Sequence, residues 1–267
     1  MLGSVSDAED LLQDVWLRWQ RSDRAAVREP EAYLATTTTR LAINALTSAR
    51  ARHEGYVGTW LPEPVDTSAD PQLGAERAAA VDLAMLLLME QLTPTERAAY
   101  VLREAFDYPY AVIAEIVEAS AATCRQLVSR ARKRLHSKRS EPVQETAEHR
   151  RLLESFLAAA RGGDLSALES LFHQDVVSYS DSGGHRLRGV STIPVTGAAK
   201  TARFFRAFAP RFWPEIAVEI VEANGDPAAL LRRDGRPLAL LAMGVGPGGI
   251  ELLLWQFDPA KLRQFAD

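Results

Sequence analysis

Arg125 and Gln126 stand side by side in the stretch AATCRQLVSRARKRL, just ahead of a dense basic run. Their side chains suit the edges of bases. A guanidinium presents two parallel donors to O6 and N7 of guanine, and a carboxamide presents a donor and an acceptor to adenine. Thr123 and Ser129 add hydroxyls on the same outward side. Arg130, Arg132, Lys133 and Arg134 follow, then Lys138 and Arg139, with no acidic residue before Glu141. Such cations neutralise phosphate, which gives affinity without sequence preference. The chemistry on offer is recognition of duplex DNA. A plain helical bundle with one solvated basic face would show the same charge run, so the elements that carry these residues decide between the two.

Those elements lie between Leu92 and Leu135. Thr93 is an N-cap, Pro94 suits the first helical position, and Glu96 completes a capping box. Ala98, Val101, Leu102 and Ala105 form an apolar face at helical spacing. Asp107-Tyr108-Pro109 ends that helix. A second helix has Ile113, Ile116 and Val117 inward, and Glu118-Ala119 makes a turn. Ser120 caps a third helix, packed through Cys124, Leu127, Val128, Ala131 and Leu135. Three short helices with a tight turn before a basic one are the pattern of a helix-turn-helix, whose second helix enters the major groove.

The rest of the chain bounds the reading. It has 267 residues, enough for two or three small domains, with 47% hydrophobic and 25% charged residues, and is globular in composition. Net charge is −4, so binding to DNA must come from local patches. The single cysteine, Cys124, excludes an intramolecular disulfide and a cysteine-based metal cluster, and is expected to be a small buried residue. No signal peptide and no apolar run of spanning length is present, so the cytoplasm is expected and no membrane.

The N-terminal segment reads as two helices. One opens at Ser6-Asp7-Ala8-Glu9 and has Leu11, Leu12, Val15, Trp16 and Trp19 on its apolar side, with Asp10, Gln13, Asp14 and Arg18 elsewhere. The other runs from Pro30 to about His53. Its outer face carries Thr36 to Thr39, Arg40, Asn44, Ser48, Arg50 and Arg52, a set that suits single-stranded or melted DNA or simply a solvated face. This much aromatic surface predicts a further helix ahead of Met1.

Residues 56–74 form a linker rich in Gly, Pro, Thr, Ser and Asp. Within it Trp60-Leu61-Pro62-Glu63-Pro64 is too apolar to be left exposed, and is expected to dock on a domain, the C-terminal one or the helix-turn-helix. Residues 75–91 read as a further helix. Beyond residue 141 the pattern is helical to Ala160, with Asp164 capping a short helix through Phe172. Short β-rich runs follow: VVSYSD, HRLRGV, EIAVEIVEANG, AALLRRDGRPLALLAMGV and GIELLLWQFD, interrupted by one helix from Ala198 to Ala209. This is an α+β cone with an antiparallel sheet. His173, Asp175, Tyr179, Asp181, His185 and Trp255 are its candidates for acid–base chemistry, but no pair stands at a forced spacing.

The segments SDAEDLLQDVWLRW and YLATTTTRLAINALTSARARHEGYVGTWLPEP and the helix-turn-helix, in this order, resemble an extracytoplasmic-function sigma factor. More narrowly, the chain is similar to the subgroup with a fused C-terminal SnoaL-like domain. That subgroup's linker motif is intact as WLPEP. Its Asp-Gly-Gly-Gly motif appears altered as Asp181-Ser182-Gly183-Gly184, and its Asn-Pro-(Asp/Glu)-Lys-Leu motif as Asp258-Pro259-Ala260-Lys261-Leu262.

The resemblance implies two all-α sigma domains followed by a SnoaL-like, nuclear-transport-factor-two-like cone: sigma-two over residues 1–55, the linker over 56–74, sigma-four over 75–140 and the cone over 141–267. It implies that Asp10, Gln13, Trp16 and Arg18 dock on core RNA polymerase. Arg40, Asn44, Ser48, Arg50 and Arg52 would meet the minus-10 promoter element. Thr123, Arg125, Gln126, Ser129, Arg130, Arg132, Lys133 and Arg134 would meet the minus-35 element. Trp60 to Pro64 with Asp181, Gly183 and Gly184 would serve regulation by the cone, which would also enclose a pocket for a small ligand. No metal, no cofactor and no catalysis are implied. The competing readings are a helix-turn-helix regulator with a ligand-sensing cone, which would need no polymerase, and a small-molecule enzyme with a vestigial DNA-binding half.

Overall fold

The computed structural model describes residues 1–53, 56–68, 83–136, 146–187 and 189–266, without the side chains of residues 49–53 and 136. The chain divides into two compact units, Met1–Gly55 with Leu86–Lys138, and Tyr56–Met85 with Arg139–Asp267.

In the first unit, helix α1 (Val5–Arg21) is capped two residues before the expected Ser6. Ser4 has the extended backbone a cap needs, and its hydroxyl accepts from the Asp7 N–H at 3.2 Å. Leu11 and Val15 bury against Ala42 of α2 (Pro30–His53), with Leu34 and Leu41 packed alongside. Leu12 and Trp16, expected on the apolar side, are 61% and 58% exposed. Each follows a buried residue by one position, and one step on a helix turns about 100° away from the core. On α2, Thr39 turns inward beside Ala42 and Leu46, which splits the expected hydroxyl face.

Helix α3 (Leu83–Met89) keeps the described part of the helix expected over 75–91; residues 75–82 lie outside the described residues. Helix α4 (Pro94–Glu104) opens on the full capping box: the Thr93 side chain accepts from the Glu96 N–H, and the Glu96 carboxylate accepts from the Thr93 N–H at 3.0 Å. Helices α5 (Tyr110–Val117) and α6 (Ala121–His136) complete the helix-turn-helix. Glu118 takes a left-handed φ of 56°, and the Ala119 N–H reaches back to the Ala114 carbonyl at 3.0 Å, closing the turn. Leu102, Ile113, Ile116, Cys124, Leu127 and Val128 form its core, and burial raises the Cys124 thiol above its ordinary range.

The second unit is the cone with the linker laid on it. Its order is α7 (Thr146–Gly162), α8 (Leu165–Leu171), β1 (Phe172–Asp181), β2 (Val195–Thr196), α9 (Ala198–Phe212), β3 (Ile216–Ala223), β4 (Asp226–Arg233), β5 (Arg236–Gly246) and β6 (Gly249–Gln256). Among the described residues the strands lie in the order β2-β1-β6-β5-β4-β3. Strands β3 to β6 are an antiparallel meander whose turns use Asn224-Gly225 and Asp234-Gly235 in left-handed conformations. Strand β6 then lies parallel to β1, so the sheet is mixed rather than wholly antiparallel. Helix α7 packs on β4 and α9 on β1, around Phe156, whose ring meets Phe172, Phe205 and Trp255.

Three other expectations change. The described residues of HRLRGV are loop: Gly183, Gly184 and Gly189 bend the chain through left-handed φ, and Leu187 is exposed. The short helix ends at Leu171, and Phe172 already opens β1, which carries His173. Helix α9 runs past Ala209 through Pro210, which sits in the last turn on an exposed side, where the missing N–H is tolerated. No helix among the described residues is long and apolar enough to cross a membrane.

Candidate functional site

Helix α6 presents Thr123, Arg125, Gln126 and Ser129 to solvent. Ser120 holds the start of the helix, its hydroxyl accepting from the Thr123 N–H at 3.1 Å and sharing a 2.8 Å hydrogen bond with the Thr123 hydroxyl. The Arg125 guanidinium lies over the Tyr110 ring at 5.5 Å, which aligns it without using its donors.

The later basic residues are exposed but not equivalent. Arg134 donates to Glu96 at 2.9 Å, Arg130 lies 3.6 Å from the same carboxylate, and Arg132 donates to Glu104 at 2.7 Å. Lys133 has no ion pair among the described residues. The Glu96 side chain is only 4% exposed, so one carboxylate both caps α4 and receives two arginines from α6. A scan for acidic residues along the basic run misses it, because Glu96 and Glu104 come from another helix.

On α2, Asn44 and Ser48 are exposed, whereas Arg40 is engaged. Its Nε donates to the Ile116 carbonyl at 3.1 Å, and its terminal nitrogen donates to the Glu115 carbonyl at 3.0 Å and lies 3.1 Å from the Glu118 carboxylate. These acceptors are at the C-terminal end of α5, the negative end of a helix with unpaired carbonyls. Arg18, expected with the polymerase-facing set, lines one groove with Thr36, Thr37, Arg40 and Asn44. The side chains of Arg50 and Arg52 lie outside the described residues. Asp10, Gln13 and Trp16 are exposed on α1, and with them Leu12 and Leu17, two apolar side chains that the sequence reading did not assign to this surface.

In the second unit the three altered or intact motifs meet on Asp181, which is fully buried. One carboxylate oxygen accepts from the Tyr56 hydroxyl and from the Gly183 N–H at 3.0 Å. The other accepts from the Leu61 N–H at 2.9 Å and from the Lys261 ammonium at 2.6 Å. Lys261 also donates to the Leu61 carbonyl at 2.6 Å and lies 4.3 Å from the Trp60 ring centroid. Both main-chain groups of Leu61 are thereby bonded, and its side chain is fully buried with Pro62 and Pro64. Glu63 is half-buried.

The glycines of the second motif let partners come close. A Cβ on Gly183 would sit 3.1 Å from the Asp258 carboxyl carbon, and one on Gly184 would sit 3.3 Å from the Tyr56 ring. Burial, then the Asp181 carboxylate, push the Tyr56 phenol above its ordinary range. Tyr56 was missed by the sequence reading; its only signal is its place four residues before Trp60.

The linker continues along the exposed edge of β3. Asp66 bridges Ala223, Val65 exchanges two hydrogen bonds of 2.9 Å with Asn224, and the Thr67 hydroxyl donates to Glu222 at 2.7 Å. This strap covers the edge strand that the meander leaves open.

The acid–base candidates do not converge. Asp181 is occupied by four donors. His173 accepts from the Asp175 N–H at 3.2 Å, and Asp175 and His185 are exposed. Tyr179 is half-buried, its phenol raised by burial, and Trp255 belongs to the aromatic core.

Comparison with known proteins matches this layout. The Sigma-70 region 2 family model matches residues 1–52, and the Sigma-70, region 4 model matches residues 82–135. The ECF RNA polymerase sigma factor SigJ of Mycobacterium tuberculosis (strain ATCC 25618 / H37Rv) is 36% identical over 235 residues, 85% of this chain and 73% of that protein. The Probable ECF RNA polymerase sigma factor SigI of Mycobacterium tuberculosis is 28% identical over 267 residues, 98% of this chain and 88% of that protein. The crystal structure of the Mycobacterium tuberculosis extracytoplasmic function sigma factor SigJ superposes with a TM-score of 0.76 at 32% identity, covering 98% of this chain and 91% of that one. A region 2 helical pair, a region 4 helix-turn-helix and this relative together show that the chain belongs to the extracytoplasmic-function RNA polymerase sigma factors, which direct transcription.

Proposed function

We propose that this sigma factor regulates its promoter grip from within, through the linker that Asp181 and Lys261 hold on the cone. The observation that carries the reading is the buried carboxylate with four donors, two of them from the linker itself. A linker held at Tyr56, Trp60 and Leu61 leaves fewer free residues between the two DNA-binding regions than one released from the cone. Clamping therefore narrows the promoter geometries the chain accepts.

Within that scheme Arg125 and Gln126 read base edges of the minus-35 element, supported by Thr123 and Ser129, and Lys133 neutralises phosphate. Arg130, Arg132 and Arg134 exchange their carboxylate partners for phosphate when DNA arrives. Arg40 leaves the end of α5 to join Asn44, Ser48, Arg50 and Arg52 on the minus-10 strand, with Arg18 at the same groove. Trp16, Leu12 and Leu17, flanked by Asp10 and Gln13, form the apolar anchor for core polymerase. The domain limits follow as 1–55, 75–140 and 141–267 around the linker 56–74, and the protein works beside polymerase in the cytoplasm. The cone acts by contact and by a small ligand, without chemistry of its own, since its one buried carboxylate among the described residues is used up in the clamp.

Transcription with purified core polymerase, comparing the full chain with one ending near Ser140, tests the reading. Altered promoter selectivity on removing the cone is expected. Identical selectivity and output from both chains would remove the regulatory role.

A further inference from the structure

The cone contains a cavity that the clamp does not use. Phe204, Phe208 and Phe212 line one side, one helical turn apart on α9. Phe204 and Phe208 are stacked at 6.0 Å and 15°, and Phe208 and Phe212 at 5.1 Å and 28°. Trp255 and Phe257 form a second stacked pair at 6.1 Å and 12°, crossing the first edge-on at Phe212. None of the lining residues has an ionisable side chain. Such walls reject charge and favour flat apolar groups, which stack on aromatic faces.

One polar feature stands out among them. The indole N–H of Trp255 is buried, in a residue only 4% exposed, and has no hydrogen-bond partner among the described residues. A buried donor left alone is unfavourable, and so is a natural place for an acceptor to be supplied from outside. The cavity is small, about 20 Å³, with room for about one water. Entry of anything larger requires a side chain to swing out. Phe208 is a partly exposed lining side chain whose ring lies over the loop at Gly189, where a Cβ would come within 1.8 Å of it, so the loop covers this ring without a side chain of its own.

The cavity and the clamp share two strands. Ser180 lines the cavity and its neighbour Asp181 is the clamp carboxylate; in register on β6, Trp255 pairs with Ser180 and Gln256 with Asp181. The Phe257 N–H, also at the cavity, donates to the Asp181 carbonyl at 2.7 Å.

We propose that this cavity binds a neutral, flat aromatic molecule carrying one hydrogen-bond acceptor, taken by the Trp255 indole N–H, with Phe208 as the movable side of the entrance. Its occupation is linked through β1 and β6 to the linker clamp, and this second half rests on the proposed function of the clamp.

Equilibrium dialysis of the full chain against 2-acetylnaphthalene, naphthalene and 2-naphthoate tests both halves. The ketone should bind one per chain and exceed naphthalene by roughly three- to tenfold, the worth of one hydrogen bond, while the anion should not bind. In Trp255→Phe the ketone should lose its preference over naphthalene, while an unchanged thermal unfolding transition reports an intact fold. Phe208→Ala should admit both neutral probes more readily. Failure of both neutral probes to bind wild type and Phe208→Ala would overturn the site, and an unchanged ketone preference in Trp255→Phe would overturn the role of the indole. Linkage is reciprocal, so opening the clamp with Lys261→Met should shift ketone affinity. If the ketone preference holds but Lys261→Met leaves affinity untouched, the site stands and its coupling to the clamp falls.

Discussion

Glu96 and Asp181 are two nearly buried carboxylates, each gathering several donors, and they do opposite things. Glu96 caps α4 and receives Arg134 and Arg130, whose own side chains are 51% and 58% exposed. Asp181 receives Lys261, whose side chain is 11% exposed, together with the Tyr56 hydroxyl and two main-chain N–H groups. An arginine that reaches water can trade a carboxylate for a phosphate at little cost, because solvent covers the exchange. Lys261 has no such alternative: moving it leaves charge stranded in a dry site. The first arrangement suits a surface that must meet DNA and let go. The second suits a latch that is either closed or lost.

Mutation of the two carboxylates should separate them. Asp181→Ala leaves Lys261 buried and unpaired and should destabilise the cone by about 3–5 kcal/mol, read as an earlier unfolding transition of the full chain followed through its aromatic core. A loss near zero would mean that water reaches Lys261 and that the node resembles the Glu96 site. At the other region, Arg125→Ala should leave stability alone and weaken discrimination at one promoter base pair by about 1–3 kcal/mol, measured by binding to single-base variants of the upstream element. Glu96→Ala removes half a capping box, but its arginines can turn to solvent, so its cost should be about 1 kcal/mol. A loss as large as that of Asp181→Ala would erase the contrast. Smaller still, Arg132→Ala breaks an exposed pair with Glu104 and should change stability by roughly 0–1 kcal/mol. Lys133→Ala should be silent in stability and lower the salt dependence of DNA binding by about one ion.

The same contrast explains how much could be read from residues alone. The helix-turn-helix was legible almost to the residue, because Thr93, Glu96, Glu118 and Ser120 act on neighbours three or four positions away and the apolar stripe is periodic. The hairpins at Asn224-Gly225 and Asp234-Gly235 were legible for the same local reason. What escaped depends on distant partners. Arg130 and Arg134 look like free cations until α4 folds against α6 and brings Glu96 to them. Arg40 reads as a DNA contact, yet its guanidinium is bonded to carbonyls more than seventy positions away. The parallel pairing of β6 with β1 leaves no periodic trace, since it is set by where the meander ends. The motifs around Trp60, Asp181 and Lys261 could each be seen, and docking of the linker was expected from its apolar content. That one carboxylate joins all three, and that Tyr56 completes it, needs the fold.

In the proposed function Lys261 and Asp181 hold the linker and so limit promoter geometry. The most direct measurement is transcription by core polymerase with the full chain and with Lys261→Met, on promoters whose minus-35 to minus-10 spacing is varied one base pair at a time. The wild type should prefer a narrow range of spacings, and the variant should accept a wider one while amide exchange at Leu61 speeds up. An unchanged spacing profile in a variant whose Leu61 amide has been freed would contradict it.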